Sequence, residues 1–244
     1  MIRIITPLYN AEKYIGYCLA SVNMQTYPNW KCYIIDDCST DGTADLVEKL
    51  IEGNDKFELV RNKNKIGTAG SHYNIIHKEE IDDHDICVDL DGDDWFNGNN
   101  VLERVLEQYK DGTLMTYGQF VHWDGQNYTN GFARPCPTGC ANVRKTPPWT
   151  TTALRTYKAG LFRKIDKKDL MLDDGETYFP VTGDLAFMIP MLEMSGDKRV
   201  KFVEDVLYIY NIESDMNDYK IHLPEQKQYE LVIRNRPKYK ELPW

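Results

Sequence analysis

A chain of 244 residues with 42% hydrophobic and 27% charged content is long enough for one sizeable core and has the composition of a globular domain, not of a disordered or fibrous chain. Its formal net charge of −9, from 38 acidic against 29 basic residues, argues against a nucleic-acid partner, because a phosphate backbone is held by clustered Lys and Arg. No stretch reaches the ~20 apolar residues of a membrane span, and Met1–Pro7 lacks the basic and apolar regions of a secretion signal, so a cytoplasmic chain is expected.

Taken in chain order, the first half alternates strand-like and helix-like stretches. Ile2–Thr6 is apolar and β-branched and stops at Pro7. Ala11–Val22 then places Tyr14, Ile15, Cys18, Leu19 and Val22 at helical spacing. Trp30–Ile35 is a continuous apolar strand ending at Asp36-Asp37, and Ala44–Ile51 is an amphipathic helix opened by Thr40-Asp41-Gly42-Thr43. Phe57–Val60 and Asp85–Asp89 read as strands, Gly67–His77 and Val101–Tyr109 as helices. Such alternation with short connections predicts parallel strands joined by helices. Ligands of such sheets bind beyond the carboxyl ends of the strands. Pro7–Asn10, Asp36–Asp41 and Asp89–Trp95 all fall there, so three polar clusters distant in sequence are expected to share one edge.

The second half is less regular. Leu114–Trp123 and Val200–Tyr210 predict strands, Tyr157–Ile165 and Asp184–Met194 helices, and the tail from Leu223 has a weak helical pattern. Asp124–Pro148, rich in Gly, Pro, Asn and Thr, predicts a long loop. Of the six cysteines, Cys136 and Cys140 sit C-x-x-x-C in that loop. A zinc site would need two further ligands at compatible spacing, so free thiols are expected. His72 and His122 lack a partner in sequence that points to catalysis and read as structural.

The most informative stretch is Asp85-Ile-Cys-Val-Asp-Leu-Asp-Gly-Asp-Asp-Trp95, where Asp89, Asp91, Asp93 and Asp94 crowd the end of an apolar strand. Close unpaired carboxylates repel one another and hold some of their protons. A hard divalent cation removes that cost: Mg2+ or Mn2+ takes one or two carboxylates and leaves positions for phosphate oxygens. Two rival metal patterns overlap this stretch. An EF-hand loop from Asp89 fails, with Asp94 where Gly is required and Asn100 where Glu is required. Asp89-Leu-Asp-Gly also resembles the nucleophile loop of haloacid-dehalogenase-type phosphatases, with Gly183-Asp184 imitating their later metal motif, but Asp93 stands where Thr or Ser is usual.

All the clusters together resemble family 2 glycosyltransferases. Thr6-Pro-Leu-Tyr-Asn10 is similar to that family's first-strand motif, Ile34-Ile-Asp-Asp-Cys-Ser-Thr-Asp-Gly-Thr43 to its second-strand signature with Cys38 where a small residue is usual, and Leu90-Asp-Gly-Asp-Asp-Trp95 to its D-x-D-D element. Asn64–Asn74 matches the Gly-containing helix start more loosely. The resemblance implies an α/β GT-A fold, Rossmann-like, with a mostly parallel central sheet flanked by helices. It implies one domain over 1–244, with a nucleotide-sugar half (1–110) and an acceptor half (111–244). It assigns Pro7, Tyr9, Asp36, Asp37, Gly67 and Asp91 to the nucleotide-sugar, Asp91 and Asp93 to Mn2+ or Mg2+ with Asp89 as a substitute, and Asp184 in Val181-Thr-Gly-Asp-Leu-Ala-Phe-Met188 to the base. Gly183 replaces the family's usual Glu, and Asp184 could instead cap its helix. In Trp149-Thr-Thr-Thr-Ala-Leu-Arg-Thr-Tyr157 the resemblance implies a Trp or Arg that meets the sugar or acceptor, with Trp149 equally a core or lid residue, and the likeness continues weakly at Tyr208 and Tyr210. The implied activity is inverting transfer from a UDP-sugar, or from a GDP- or dTDP-sugar, to a glycan or other hydroxyl acceptor. A metal-dependent phosphatase with Asp89 as nucleophile, or a glycan- or nucleotide-binding module with a decayed site, are the alternatives.

Overall fold

The computed structural model describes residues 1–145, 149–214 and 218–243. The chain runs β1 (Ile2–Leu8), α1 (Ile15–Asn23), β2 (Trp30–Asp36), α2 (Thr43–Ile51), β3 (Phe57–Arg61), α3 (Gly67–Ile76) and β4 (Ile86–Asp89). It continues through β5 (Trp95–Phe96), α4 (Val101–Gln108), β6 (Met115–Trp123), β7 (Tyr128–Asn130), β8 (Thr156–Lys158) and α5 (Ala159–Phe162). Last come α6 (Gly183–Ser195), β9 (Val200–Asn211), α7 (Asp218–Ile221) and α8 (Leu223–Asn235). Among the described residues no helix is long and apolar enough to cross a membrane.

One sheet in the order β3-β2-β1-β4-β8-β6-β9-β5, with β7 on β6, holds these strands together. β3, β2, β1 and β4 are parallel, as the alternation predicts. β8 is antiparallel to both β4 and β6, β6 is parallel to β9, and β5 and β7 are antiparallel to their neighbours. The sheet is therefore mixed, and the two halves drawn near residue 110 share it. Side-chain alternation splits the core across its faces. Ile5, Tyr33, Ile35 and Cys87 pack with α3 and α6 on one face, while Ile2, Ile4, Cys32, Ile34 and Val88 pack with α1, α2 and α4 on the other. Each fully buried isoleucine of β1 contributes roughly 1.5–3 kcal/mol of transfer free energy.

Two expectations change. The helix predicted over Tyr157–Ile165 is a short strand, β8, followed by the four-residue α5. Tyr157 is paired with Cys87 on one side and Met115 on the other, so filling the gap between β4 and β6 overrides local helical spacing. The predicted loop contains β7 and a 3-10 turn at Cys140–Lys145, while its last residues, 146–148, lie outside the described residues. All six cysteines are free.

The parallel strands set the site. β1, β2 and β4 end side by side, and the segments following Leu8, Asp36 and Asp89 leave the sheet at one edge.

Candidate active site

A cleft at that edge is lined by Pro7, Tyr9 and Asp37 from the strand ends, Asp91 and Asp93 from the acidic loop, and Gly183 and Asp184 from α6. The three predicted clusters do meet.

At the nucleotide end, Asp37 rather than Asp36 faces the cleft. Asp36 Oδ1 accepts a bond from Ser39 N at 3.3 Å, an Asx-type turn that bends the chain away. Cys38 follows with φ 68°, a left-handed conformation that explains why a small residue usually stands there. The Asp37 carboxylate is already engaged: Oδ1 accepts from Asn62 Nδ2 at 2.8 Å and Ile66 N at 3.0 Å, and Oδ2 from Gly67 N at 2.9 Å. It thus shapes the turn into α3 and keeps room for a further bond at Oδ2. Gly67 is required there: φ is +65° and a Cβ would lie 2.9 Å from the Phe179 carbonyl oxygen. Lys65, unnoticed in the sequence, stacks its ammonium 3.3 Å from the Tyr9 ring centroid and also lines the cleft. The K-x-G spacing ahead of α3 was its only signal.

The four aspartates of the acidic loop divide into two pairs. Leu90 N and Gly92 N donate to Ile5 O (3.0 Å) and Pro7 O (3.1 Å), which lays the loop across the end of β1. Gly92 permits the approach, because a Cβ there would lie 2.5 Å from Leu8 Cβ. Asp94 is pinned, with Oδ2 accepting from the Tyr208 hydroxyl at 2.6 Å and Oδ1 from Asn211 N at 2.7 Å. Burial and the nearby Asp93 and Asp91 charges push it well above the usual carboxylate range. Asp89, the proposed substitute ligand, is buried and absent from the cleft lining, and its Oδ2 has no hydrogen-bond partner. Its Oδ1 accepts from the Tyr157 hydroxyl at 2.8 Å and lies 3.0 Å from His72 Nε2. The other ring nitrogen of His72 lies 2.8 Å from the Thr68 carbonyl. Two acceptors call for two ring protons. Although burial opposes charge, Asp89 and the Thr68 carbonyl raise His72 above its ordinary value. His72 is structural, as read, but through a partner that sequence spacing could not reveal.

Asp91 and Asp93 keep their places in the cleft. Burial first, then Asp93, Asp89 and Asp184, push Asp91 up to about 6 against the opposing pull of Arg155. Among the described residues no three His, Cys, Asp or Glu side chains form a cluster that could hold a metal alone. Asp91 and Asp93, beside which Asp94 also lines the cleft, instead fit a hard cation that completes its shell with phosphate oxygens.

Across the cleft, α6 starts at Gly183 after Thr182 at φ 64°, without a side-chain cap. Asp184, in the first turn, does not cap the helix; its Oδ2 accepts from Arg155 Nη2 at 2.7 Å. Gly183 has a packing cause and is no mark of decay: a Cβ would lie 2.8 Å from Ala69 N, where α6 meets α3. Trp149 is absent from the cleft lining and packs on the core, with the Arg234 guanidinium 5.9 Å above its ring. Arg155 takes the cleft position instead. A phosphatase reading fails on the same geometry, because Asp89 as nucleophile would be buried with its Oδ1 occupied.

The sequence profile of glycosyl transferase family 2 matches residues 3–170. The putative teichuronic acid biosynthesis glycosyltransferase TuaG of Bacillus subtilis is 32% identical over 107 residues, covering 44% of this chain and 41% of that protein. The poly(ribitol-phosphate) beta-N-acetylglucosaminyltransferase TarS of Staphylococcus aureus is 31% identical over 213 residues, covering 85% of this chain and 35% of that protein. The chain thus spans less than half the length of these two curated relatives. Among solved structures, Staphylococcus aureus TarS in complex with UDP-GlcNAc has a TM-score of 0.69 at 18% identity, over 95% of this chain and 65% of that one. The mannosyltransferase PcManGT of Pyrobaculum calidifontis, in complex with GDP-Man and Mn2+, has a TM-score of 0.63 at 17% identity, over 98% of this chain and 65% of that one. These likenesses identify the mixed sheet and its helices as the GT-A fold. With more than half of the chain matched, this protein belongs to glycosyl transferase family 2.

Proposed function

We propose that this chain transfers a sugar, with inversion, from a nucleotide-diphosphate sugar to a hydroxyl of a glycan or related acceptor. A UDP-sugar is the first candidate donor. The observation that carries this reading is the single cleft joining Asp37, the Asp91–Asp93 pair and Asp184. The UDP-GlcNAc bound by TarS and the GDP-Man and Mn2+ bound by PcManGT support a nucleotide-sugar donor and a divalent cation.

Pro7 and Tyr9 pack against the base, and the spare capacity of Asp37 Oδ2 takes a base N–H or ribose hydroxyl. Residues 1–110 thereby form the donor half, and 111–244 supply the base and the acceptor side. Asp91 and Asp93 would hold Mn2+ or Mg2+, and a cation bound there would supply Lewis-acid neutralisation of charge on the leaving diphosphate. Asp184 removes the proton of the acceptor hydroxyl as its oxygen attacks the anomeric carbon. A new C–O bond forms on one face while the bond to the diphosphate oxygen breaks on the other. The electron pair leaves with the nucleoside diphosphate, and the proton stays on Asp184.

The test is UDP binding by calorimetry with and without Mn2+, beside a thermal-shift panel of nucleotide-sugars, since a ligand of the native state raises its melting temperature. Mn2+-dependent UDP binding is expected in the wild type and lost in Asp91→Asn and Asp93→Asn. Full retention of binding by both variants would remove the metal assignment, and phosphate release from phosphomonoesters without UDP binding would revive the phosphatase.

A further inference from the structure

The transfer just described uses the Asp184 carboxylate without anything to aim it. Its own helix gives little help, because α6 has no side-chain cap, Gly183 offers no side chain, and the Thr182 hydroxyl turns to Gln226 O at 3.5 Å. Arg155 supplies the missing contact, through Nη2 to Oδ2 at 2.7 Å, from a side chain only 13% exposed. Arg155 is itself anchored to the opposite wall. Its carbonyl accepts from Asp89 N at 3.1 Å, and Asp89 is clamped by His72 and Tyr157. The guanidinium lies in the field of Asp184, then Asp91, then Asp89, and its Nε is buried without a hydrogen-bond partner. One cation therefore ties the wall carrying the base to the wall carrying the acidic loop.

We propose that Arg155 is the positioning residue of the transfer: it holds the Asp184 carboxylate at the orientation and distance from which the acceptor proton is taken. The inference rests on the function proposed above. A charge-assisted bond from a guanidinium whose backbone is held in the sheet fixes where that carboxylate oxygen sits, and a base displaced by about 1 Å loses about 100-fold in rate.

The experiment compares Arg155→Gln, Arg155→Lys, Asp184→Asn and the double variant Arg155→Gln/Asp184→Asn. UDP affinity is read by calorimetry with Mn2+, and turnover as UDP released from UDP-glucose and UDP-GlcNAc by attack of water. Arg155→Gln should lower the saturating rate about 100-fold while leaving UDP affinity and donor KM near wild type, and Arg155→Lys should recover a substantial part. In the Asp184→Asn background the Gln substitution should cost less than about 2-fold, since two residues acting through one carboxylate are not additive. An unchanged rate, a raised donor KM at an intact saturating rate, or full additivity would each overturn the assignment; the second would move Arg155 onto the donor diphosphate. If Arg155→Gln does not fold, Arg155→Lys in both backgrounds decides the same question. Should the wild type neither bind UDP nor release it, the proposed function fails. A crystal structure of Arg155→Gln still judges Arg155: a reoriented Asp184 carboxylate supports it, and an unmoved one refutes it.

Discussion

The two walls of the cleft are built by different means. On the nucleotide side the key carboxylate, Asp37, is set by three donors, two of them backbone amides of one turn, and Gly67 and Gly92 let that turn and the acidic loop close on their neighbours. On the base side Asp184 depends on one side chain reaching across the cleft. Backbone-built sites tolerate the loss of a single side chain, whereas a carboxylate aimed by one guanidinium does not. Substitutions on the base wall should therefore act on rate, and those on the nucleotide wall and beneath the loop on binding and stability.

The largest effect should come from the base itself. Asp184→Asn is expected to lower donor turnover by about 10^2- to 10^4-fold, the usual worth of a general base, while UDP affinity in Mn2+ stays near wild type. Normal turnover would reduce Asp184 to a first-turn acid that favours the helix dipole and erase the contrast between the walls. Next in size is the support beneath the acidic loop. His72→Ala leaves the buried Asp89 carboxyl with the Tyr157 hydroxyl but without the imidazole, and breaking a buried pair costs about 3–5 kcal/mol, measurable by urea unfolding. Its pH dependence has a definite sign. Because His72 is raised above its ordinary 6.5, its stabilisation is complete below about pH 6.5 and disappears as pH rises through the higher folded-state value. The gap between wild type and His72→Ala should therefore narrow at alkaline pH. A constant gap would mean that His72 packs there without carrying charge.

The same contrast explains what could be read before the fold was in hand. The alternation of strands and helices, the shared edge and the cleft places of Pro7, Tyr9, Asp37, Asp91, Asp93 and Asp184 were legible, because strand ends carry their sequence neighbours to one side of a parallel sheet. What was not legible depends on pairing across long separations. Tyr157 lies in a strand only because β4 and β6 leave a gap for it. Asp94 looks like a ligand in D-G-D-D but is taken by Tyr208 and Asn211, more than a hundred residues away. Asp36 and Asp37, adjacent and chemically alike, are told apart only by which of them the turn points into the cleft.

That division of the acidic loop predicts a smaller effect. Tyr208→Phe removes the 2.6 Å bond to Asp94 together with the hydroxyl's longer contacts to Asp91 N at 3.3 Å and Asp91 Oδ2 at 3.5 Å, and leaves every carboxylate of the loop in place. It should weaken Mn2+-dependent UDP binding by about 10- to 100-fold, as the loss of an outer partner of a metal site does. An unchanged affinity would show that the acidic loop keeps its geometry without the Tyr208 hydroxyl.

The smallest effects test whether glycine at the head of α6 is architecture. At Gly183 an added Cβ meets Ala69 N at 2.8 Å and Ala69 Cβ at 3.2 Å, so Gly183→Ala overpacks the α3–α6 contact and should destabilise by about 1–3 kcal/mol. Gly183→Glu, which restores the acid usual in the family, should do at least as much harm and bring no gain in turnover, because backbone stands where its side chain would start. Gly16 in α1 is the control: nothing lies within 4 Å of its Cβ position, so Gly16→Ala should stabilise by about 0.5–1 kcal/mol through helix propensity alone. If Gly183→Ala were as benign as Gly16→Ala, α6 could shift away from α3. Asp184 would then need Arg155 less, and the difference between the two walls would be one of degree.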